Sequence, residues 1–328
     1  VECGTMTGKH KVEIRNNKTV YKLEFERNIS IITGDSGTGK TTLVGLVRSY
    51  AMYGGKSGIV LSCDKPCVIL EGNDWKNRLK NIRDSIVFID EGSEFIVTKE
   101  FARNIKNTDN YYVLVTRENL FDLPYSVEAV YGLRGRKYFN LKRTYNHLYR
   151  LYGEHTAMEK TDCLIAEDSN SGYQFFAAYA EQHGVECVSA KGNSNLYAVL
   201  KNIDKKHPVV VADGAAFGPY MPILMELQRT ERERTIGLYL PESFEWLILQ
   251  SGLLDDKEIR KILADPARWI ESGKYFSWER FFTELLIEKS KDTYLAYKKR
   301  TLNEAYLQPH EMQEILKNVP SLGLESNQ

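Results

Sequence analysis

Two apolar rhythms alternate along the chain. His10-Lys-Val-Glu-Ile-Arg15 and Thr19-Val-Tyr-Lys-Leu-Glu-Phe25 switch between apolar and polar with period two around Asn16-Asn17, which predicts a β-hairpin. Asn28-Ile-Ser-Ile-Ile-Thr33 reads as a buried strand, and residues 42–52 carry apolar side chains at helical spacing. Strands predicted at 58–62, 67–71, 85–90 and 111–116 are interleaved with helices near 75–82 and 99–105. The rhythm restarts at Thr161, with strands at 163–166, 185–189, 208–212 and 235–240 and helices at 173–183, 195–201 and 220–228. Strands that alternate with helices imply an α/β fold with mainly parallel sheets. From residue 242 the pattern is helical, over 242–249, 257–263, 278–289, 293–305 and 308–317, and residues 321–328 look frayed.

Length and pattern together divide the 328 residues into a first α/β domain over 1–153, a second over 161–250 and a helical extension over 251–328. Residues 1–150 hold 24 Lys and Arg against 17 Asp and Glu, and the rest holds 20 against 27. The net charge of zero therefore hides two oppositely charged modules, which attract each other or meet different partners. No apolar run is long enough for a membrane span, and no signal peptide is visible, so a cytoplasmic protein with no membrane partner is the expectation. The five cysteines are odd in number and scattered, which fits a reducing compartment. Cys63-Asp-Lys-Pro-Cys67 reads either as a turn between two short strands or, with no second pair nearby, as a weak zinc signal.

Between the strand at 28–33 and the helix at 42–52 stands Gly34-Asp35-Ser36-Gly37-Thr38-Gly39-Lys40-Thr41, which fits G-x-x-x-x-G-K-[ST]. Its glycines let main-chain amides wrap an anion, and the helix that follows aims its positive end at the same point. Residues 34–42, including Thr42, are the expected triphosphate cradle. Lys40 is expected to reach the β- and γ-phosphates, and the Thr41 hydroxyl to ligate Mg²⁺. Ser85-Ile-Val-Phe-Ile-Asp90-Glu91 is an apolar strand that ends in two carboxylates. Asp90 is expected to hold Mg²⁺, or else to cap a helix, and Glu91 to orient or deprotonate a water. The strand at 111–116 ends in Thr116, Arg117 and Asn119, which read either as sensors of the γ-phosphate or as a capped turn.

These motifs resemble a small bacterial P-loop ATPase of the broad AAA-like type, often carried on mobile elements. No Leu-Ser-Gly-Gly-Gln signature accompanies them, which argues against kinship to ABC and SMC-type ATPases. The resemblance implies a P-loop NTPase core that uses ATP and Mg²⁺, with catalytic roles for Lys40, Glu91 and Arg117. It also makes completion of the site between subunits of a homo-oligomer, or by a partner protein, plausible.

Residues 129–153 contain no acid but include Arg134, Arg136, Lys137, Lys142, Arg143 and Arg150, interleaved with Tyr131, Tyr138, Phe139, Tyr145, Tyr149 and Tyr152. Three readings are open: a nucleic-acid grip over 134–150, an arginine finger from Gly132-Leu-Arg-Gly-Arg136, or a solvated hairpin.

In the second module Glu167 and Asp213 each follow a predicted strand, so they converge at the carboxyl edge of a parallel sheet. The pattern resembles a TOPRIM domain, the Mg²⁺-dependent fold of topoisomerases, primases and overcoming-lysogenization-type nucleases. Glu167 matches that family's first-strand glutamate and Asp213 the first acid of its Asp-x-Asp. Ala215 stands where the second Asp belongs, and Asp168 where a Gly is usual. The resemblance thus implies either a second metal site, completed by Asp168, Glu242 or Glu245, or a degenerate copy without catalysis. A generic Rossmann-like module remains the plain alternative. An ATPase paired with a TOPRIM-like partner is familiar from bacterial phage-defence proteins.

The expectation from all of this is Mg²⁺-dependent ATP hydrolysis coupled to a nucleic-acid or protein target. A nucleotide switch without turnover, a small P-loop kinase and a metal-dependent nuclease are the alternatives.

Overall fold

The protein, seen in a computed structural model, is described over residues 7–137, 142–152 and 158–324. It is an α/β protein with two compact units, one built from 1–152 and 265–276, the other from 153–264 and 277–328. The tail after residue 250 is thereby shared between them. No helix among the described residues is long and apolar enough to cross a membrane.

The first unit is a nine-stranded mixed sheet. Its strands are β1 (His10–Arg15), β2 (Thr19–Phe25), β3 (Ile29–Ile32), β4 (Val60–Ser62), β5 (Cys67–Ile69), β6 (Ile86–Ile89), β7 (Tyr111–Val115), β8 (Val130–Lys137) and β9 (Thr144–Arg150). They lie in the order β4-β1-β2-β9-β8-β3-β7-β6-β5. β8, β3, β7, β6 and β5 are mutually parallel. β1 pairs antiparallel with β2 in the expected hairpin, with His10 opposite Phe25. The helices are α1 (Lys40–Tyr53), α2 (Trp75–Leu79) and α3 (Lys99–Ile105).

β4 and β5 are the two outer edges of this sheet, yet only residues 63–66 join them. Nine flat strands would put those edges about 38 Å apart, whereas that link spans at most roughly 17 Å. The sheet must therefore curl, and β1 and β2 fold back over the parallel strands. Ring contacts across the curl confirm it: His10 lies 4.4 Å from Tyr111, and Phe25 lies 6.3 Å from Phe88. Leu43, Val44 and Val47 of α1 sit in the enclosed core with Val12, Ile14, Phe25, Phe88 and Val113. Val87, Ile89 and Leu114 face the other way, onto Trp75 of α2 and Phe101 of α3. Both faces of β6 and β7 are covered, which is why their sequences read as unbroken apolar runs.

The second unit carries an all-parallel sheet of β10 (Cys163–Ala166), β11 (Glu186–Ser189), β12 (Pro208–Val211) and β13 (Gly237–Tyr239), in the order β11-β10-β12-β13. Its helices are α4 (Ser171–Gln182), α5 (Asn193–Asn202), α6 (Met221–Thr230), α7 (Phe244–Gln250), α8 (Lys257–Ala264), α9 (Trp278–Ser290) and α10 (Pro309–Leu316).

The helix expected over 293–305 does not form. A single 3-10 turn, Glu304–Leu307, is all that is helical there. Side chains compete for its backbone groups. The Asn303 amide donates to the carbonyls of Tyr294 and Ala296, at 2.8 and 3.2 Å. The Ser171 amide and hydroxyl donate to the Lys299 carbonyl at 3.0 and 2.6 Å. The segment is drawn out across the start of α4 instead of coiling.

Candidate active site of the first unit and the carboxylate cluster of the second

The strand order determines what meets at the edge of the first sheet. β7 lies between β3 and β6, and all three run parallel. β3 leads into the loop at 34–39, β6 ends at Asp90-Glu91, and β7 ends at Thr116-Arg117. The three predicted elements therefore open side by side.

Gly39 caps α1 with φ 100°, a conformation that L side chains rarely adopt. A Cβ there would also stand 2.9 Å from the Tyr21 hydroxyl. That hydroxyl donates to the Gly39 carbonyl at 2.9 Å. Tyr21 is buried, and burial pushes its phenol up to about 12, against a hydrogen bond to Thr42. It is the floor of the loop, supplied by β2.

Lys40 is 5% exposed, and its ammonium donates to the carbonyls of Gly34 at 2.7 Å and Asp35 at 2.6 Å. Burial, and then the charge of Arg117, hold this ammonium below its ordinary value, while Glu91 and Asp35 pull the other way. Arg117 connects the elements directly. Its guanidinium donates to the Ser36 hydroxyl at 2.8 Å and pairs with the Glu91 carboxylate at 3.3 Å. Lys40, Glu91 and Arg117, all picked out from sequence, are thus brought together.

Thr116 and Asn119 take part in the turn that follows β7. The Thr116 side chain is buried and accepts from the Glu118 amide at 3.0 Å, and the Asn119 carbonyl accepts from the Phe121 amide. These are the bonds of a local turn. Asp90 accepts from the Glu91 amide at 2.9 Å and lies 3.5 Å from Arg48. Arg48 and its main partner Glu71, at 2.8 and 3.1 Å, were missed by sequence reasoning. The signal was available: Arg48 stands two helical turns beyond Thr41, on the same face of α1. The hydroxyl-bearing residues Thr41 and Thr42 are exposed.

Of the basic stretch, β8 and β9 form an antiparallel hairpin. Tyr131 belongs to the buried core, and Arg150 pairs with Glu26 and Glu128 at 3.6 and 3.4 Å. Arg134 lies over the ring of Tyr149, 4.9 Å from its centroid, and Arg136 and Lys137 are exposed. Tyr138 and Phe139 fall outside the described residues. Cys63 and Cys67 are free thiols flanking the link between β4 and β5.

The second unit brings Glu167 and Asp213 to adjacent strand ends, where the order of the sheet reverses. The Asp213 amide donates to Glu167 Oε2 at 3.1 Å, and the Phe244 amide donates to Asp213 Oδ1 at 3.1 Å. Lys299 Nζ lies 2.9 Å from Glu245, 3.1 Å from Glu279 and 3.6 Å from Asp213. Asp168 instead accepts from Asn170. A cavity of about 30 Å³, enough for one water, is lined by Glu167, Asp168, Asp213 and Lys299. Among the described residues no three His, Cys, Asp or Glu side chains stand where they could hold a metal ion.

The chain matches no protein family and no curated relative.

Burial, more than any neighbour, pushes the Glu167 carboxyl up to about 7, although the Asp213 amide and Lys299 favour its charge. Burial also raises Asp213, with Glu279 adding to the shift. A carboxyl raised on folding contributes stability that is fully present below its unfolded value and lost as pH climbs through the folded one. The second unit should therefore lose stability between about pH 4.5 and about pH 7. Glu167→Gln is expected to flatten that slope in urea melts followed across the range. An unchanged slope would remove Glu167 as its source.

Proposed function

We propose that the first unit binds a nucleoside triphosphate, ATP, with Mg²⁺ and hydrolyses it, and that the second unit couples this cycle to a target. The observation that carries the reading is the bridge from Ser36 in the loop, through Arg117, to Glu91 at the end of β6. It brings a guanidinium and a carboxylate to one sheet edge, where the Lys40 ammonium feels both charges, and phosphoryl transfer to water uses such groups. The triphosphate lies along the amides of 34–42. Lys40 exchanges the Gly34 and Asp35 carbonyls for phosphate oxygens.

The donor set fits magnesium. The exposed Thr41 hydroxyl and the Asp90 carboxylate would offer it hard oxygens, with water completing the shell. The ion would offset charge on the phosphate oxygens. Glu91 orients the attacking water and takes its proton. Arg117 stabilises charge that builds on the transferring group.

One observation favours a second reading. Arg117 already holds Glu91 in an ion pair, and that pair has to open before the carboxylate can turn to a water. A nucleotide-binding switch without turnover would look the same at rest.

The target is a nucleic acid or a protein, and the exposed Arg134, Arg136 and Lys137 support the former. A homo-oligomer would give these cations a further role at a neighbouring site. Calorimetry with ATP and Mg²⁺, paired with a phosphate-release assay, tests the proposal. Saturable uptake with release is expected; no uptake by folded protein sinks both readings, and uptake without release leaves the switch.

A further inference from the structure

The resemblance of the second unit to a metal-dependent fold puts a divalent cation at the strand ends that carry Glu167 and Asp213. The residues present do not fit one. We propose that the Lys299 ammonium is the resident cation of this edge, and that the second unit works without a metal.

The argument is geometric. Nζ of Lys299 stands within 3.6 Å of three carboxylates, from the end of β12 (Asp213), from α7 (Glu245) and from α9 (Glu279). That is the point on which a divalent cation would have to sit to use them. Oxygens of Asp213, Glu245 and Glu167 are already engaged. Asp213 gives Oδ1 to the Phe244 amide and Oδ2 to Lys299. Glu245 Oε1 accepts from the Tyr297 hydroxyl at 2.8 Å as well as from Lys299. Glu167 Oε2 is turned onto the Asp213 amide.

Glu245 is fully buried, and its Oε2 has no hydrogen-bond partner. A buried carboxylate in that state is stabilised by a cation beside it, and Lys299 supplies one at 2.9 Å. Burial opposes the charge on Lys299, but Asp213, Glu245 and Glu279 together hold the ammonium above its ordinary value. It stays charged across the whole range in which a hard cation would compete.

The delivery of Lys299 is equally specific. It comes from the drawn-out segment after α9, which Ser171 anchors through the Lys298 and Lys299 carbonyls at 2.6 Å each. Gln174 accepts from the Leu302 amide at 2.9 Å and holds the same segment one turn further along α4. Had this stretch been helical, as its spacing predicts, its carbonyls would not lie along the start of α4.

Manganese titration of nucleotide-free protein, followed by the electron paramagnetic resonance of free Mn²⁺ and by melting temperature, tests the proposal. The wild type is expected to show no Mn²⁺ site that depends on Asp213. A wild-type site lost in Asp213→Asn, or Mn²⁺-dependent cleavage of DNA or RNA lost in that variant, overturns the proposal.

The three carboxylates are not placed to hold a metal ion as they stand, but Lys299→Ala lets them close on the point that the ammonium vacates. The variant should gain one Mn²⁺ or Ca²⁺ site, with saturating cation raising the melting temperature by about 5 °C or more. A Lys299→Ala protein that folds and gains no site counts against the idea. Should this variant be unfolded alone, either cation is expected to restore it, and failure of both also overturns the proposal. Lys299→Arg keeps a resident cation and should bind no metal.

Discussion

Lys40→Ala is expected to weaken ATP binding by about tenfold or more, because a charge-assisted contact to phosphate is lost. Lys40 is buried, so its charge acts in a medium that screens it poorly. Its present partners, the Gly34 and Asp35 carbonyls and the Thr38 hydroxyl, all belong to the loop itself. The side chain therefore already lies along the cradle and needs little reordering to meet an oxyanion.

The same contacts give the variant a second effect. Without the ammonium, the Gly34 and Asp35 carbonyls turn to water, and the loop loses an internal tie. Melting of the ligand-free variant measures that part separately from calorimetry with ATP and Mg²⁺. A dissociation constant equal to the wild type's, in a protein that melts normally, would remove Lys40 from the site.

Glu91→Gln is expected to leave ATP binding in place and to slow phosphate release by about a hundredfold or more, the usual worth of a positioned general base. The amide keeps the size of the carboxylate and can still accept from Arg117, so the bridge to Ser36 survives. What is lost is the ability to take a proton. Single-turnover release of phosphate, with bound nucleotide counted beside it, separates the two readings. A large fall with retained ATP identifies a hydrolase. An already negligible wild-type rate that the substitution leaves alone identifies a switch.

The loop, the carboxylates after β6 and Arg117 were legible in the sequence because each is a short local pattern attached to a strand. Their convergence was not. It depends on β7 lying between β3 and β6, and pairing order leaves no mark in any one strand. Tyr21 was hidden for a similar reason. It is one of the apolar positions of an alternating hairpin, and only the folding back of β2 puts its hydroxyl under Gly39.

Residues 293–305 failed in the opposite sense. Their helical spacing is genuine, but Asn303 and Ser171 offer the backbone other partners, and Ser171 lies far off in sequence. Lys299 therefore went unnoticed among the surface charges of an expected helix, while the cluster it joins was half visible in Glu167, Asp213 and Glu245.

The curl of the first sheet bears on how the protein can be dissected. β1 and β2 are not an ornament before the loop but the cover over Leu43, Phe88 and Val113. Trimming residues 7–27 would bare that surface to water, pull Tyr21 from beneath Gly39, leave β4 without its pairing strand and strip β9 of one of its two neighbours. Shortening from the front is thus no route to a minimal nucleotide-binding fragment, and a soluble piece must carry its opening hairpin with it.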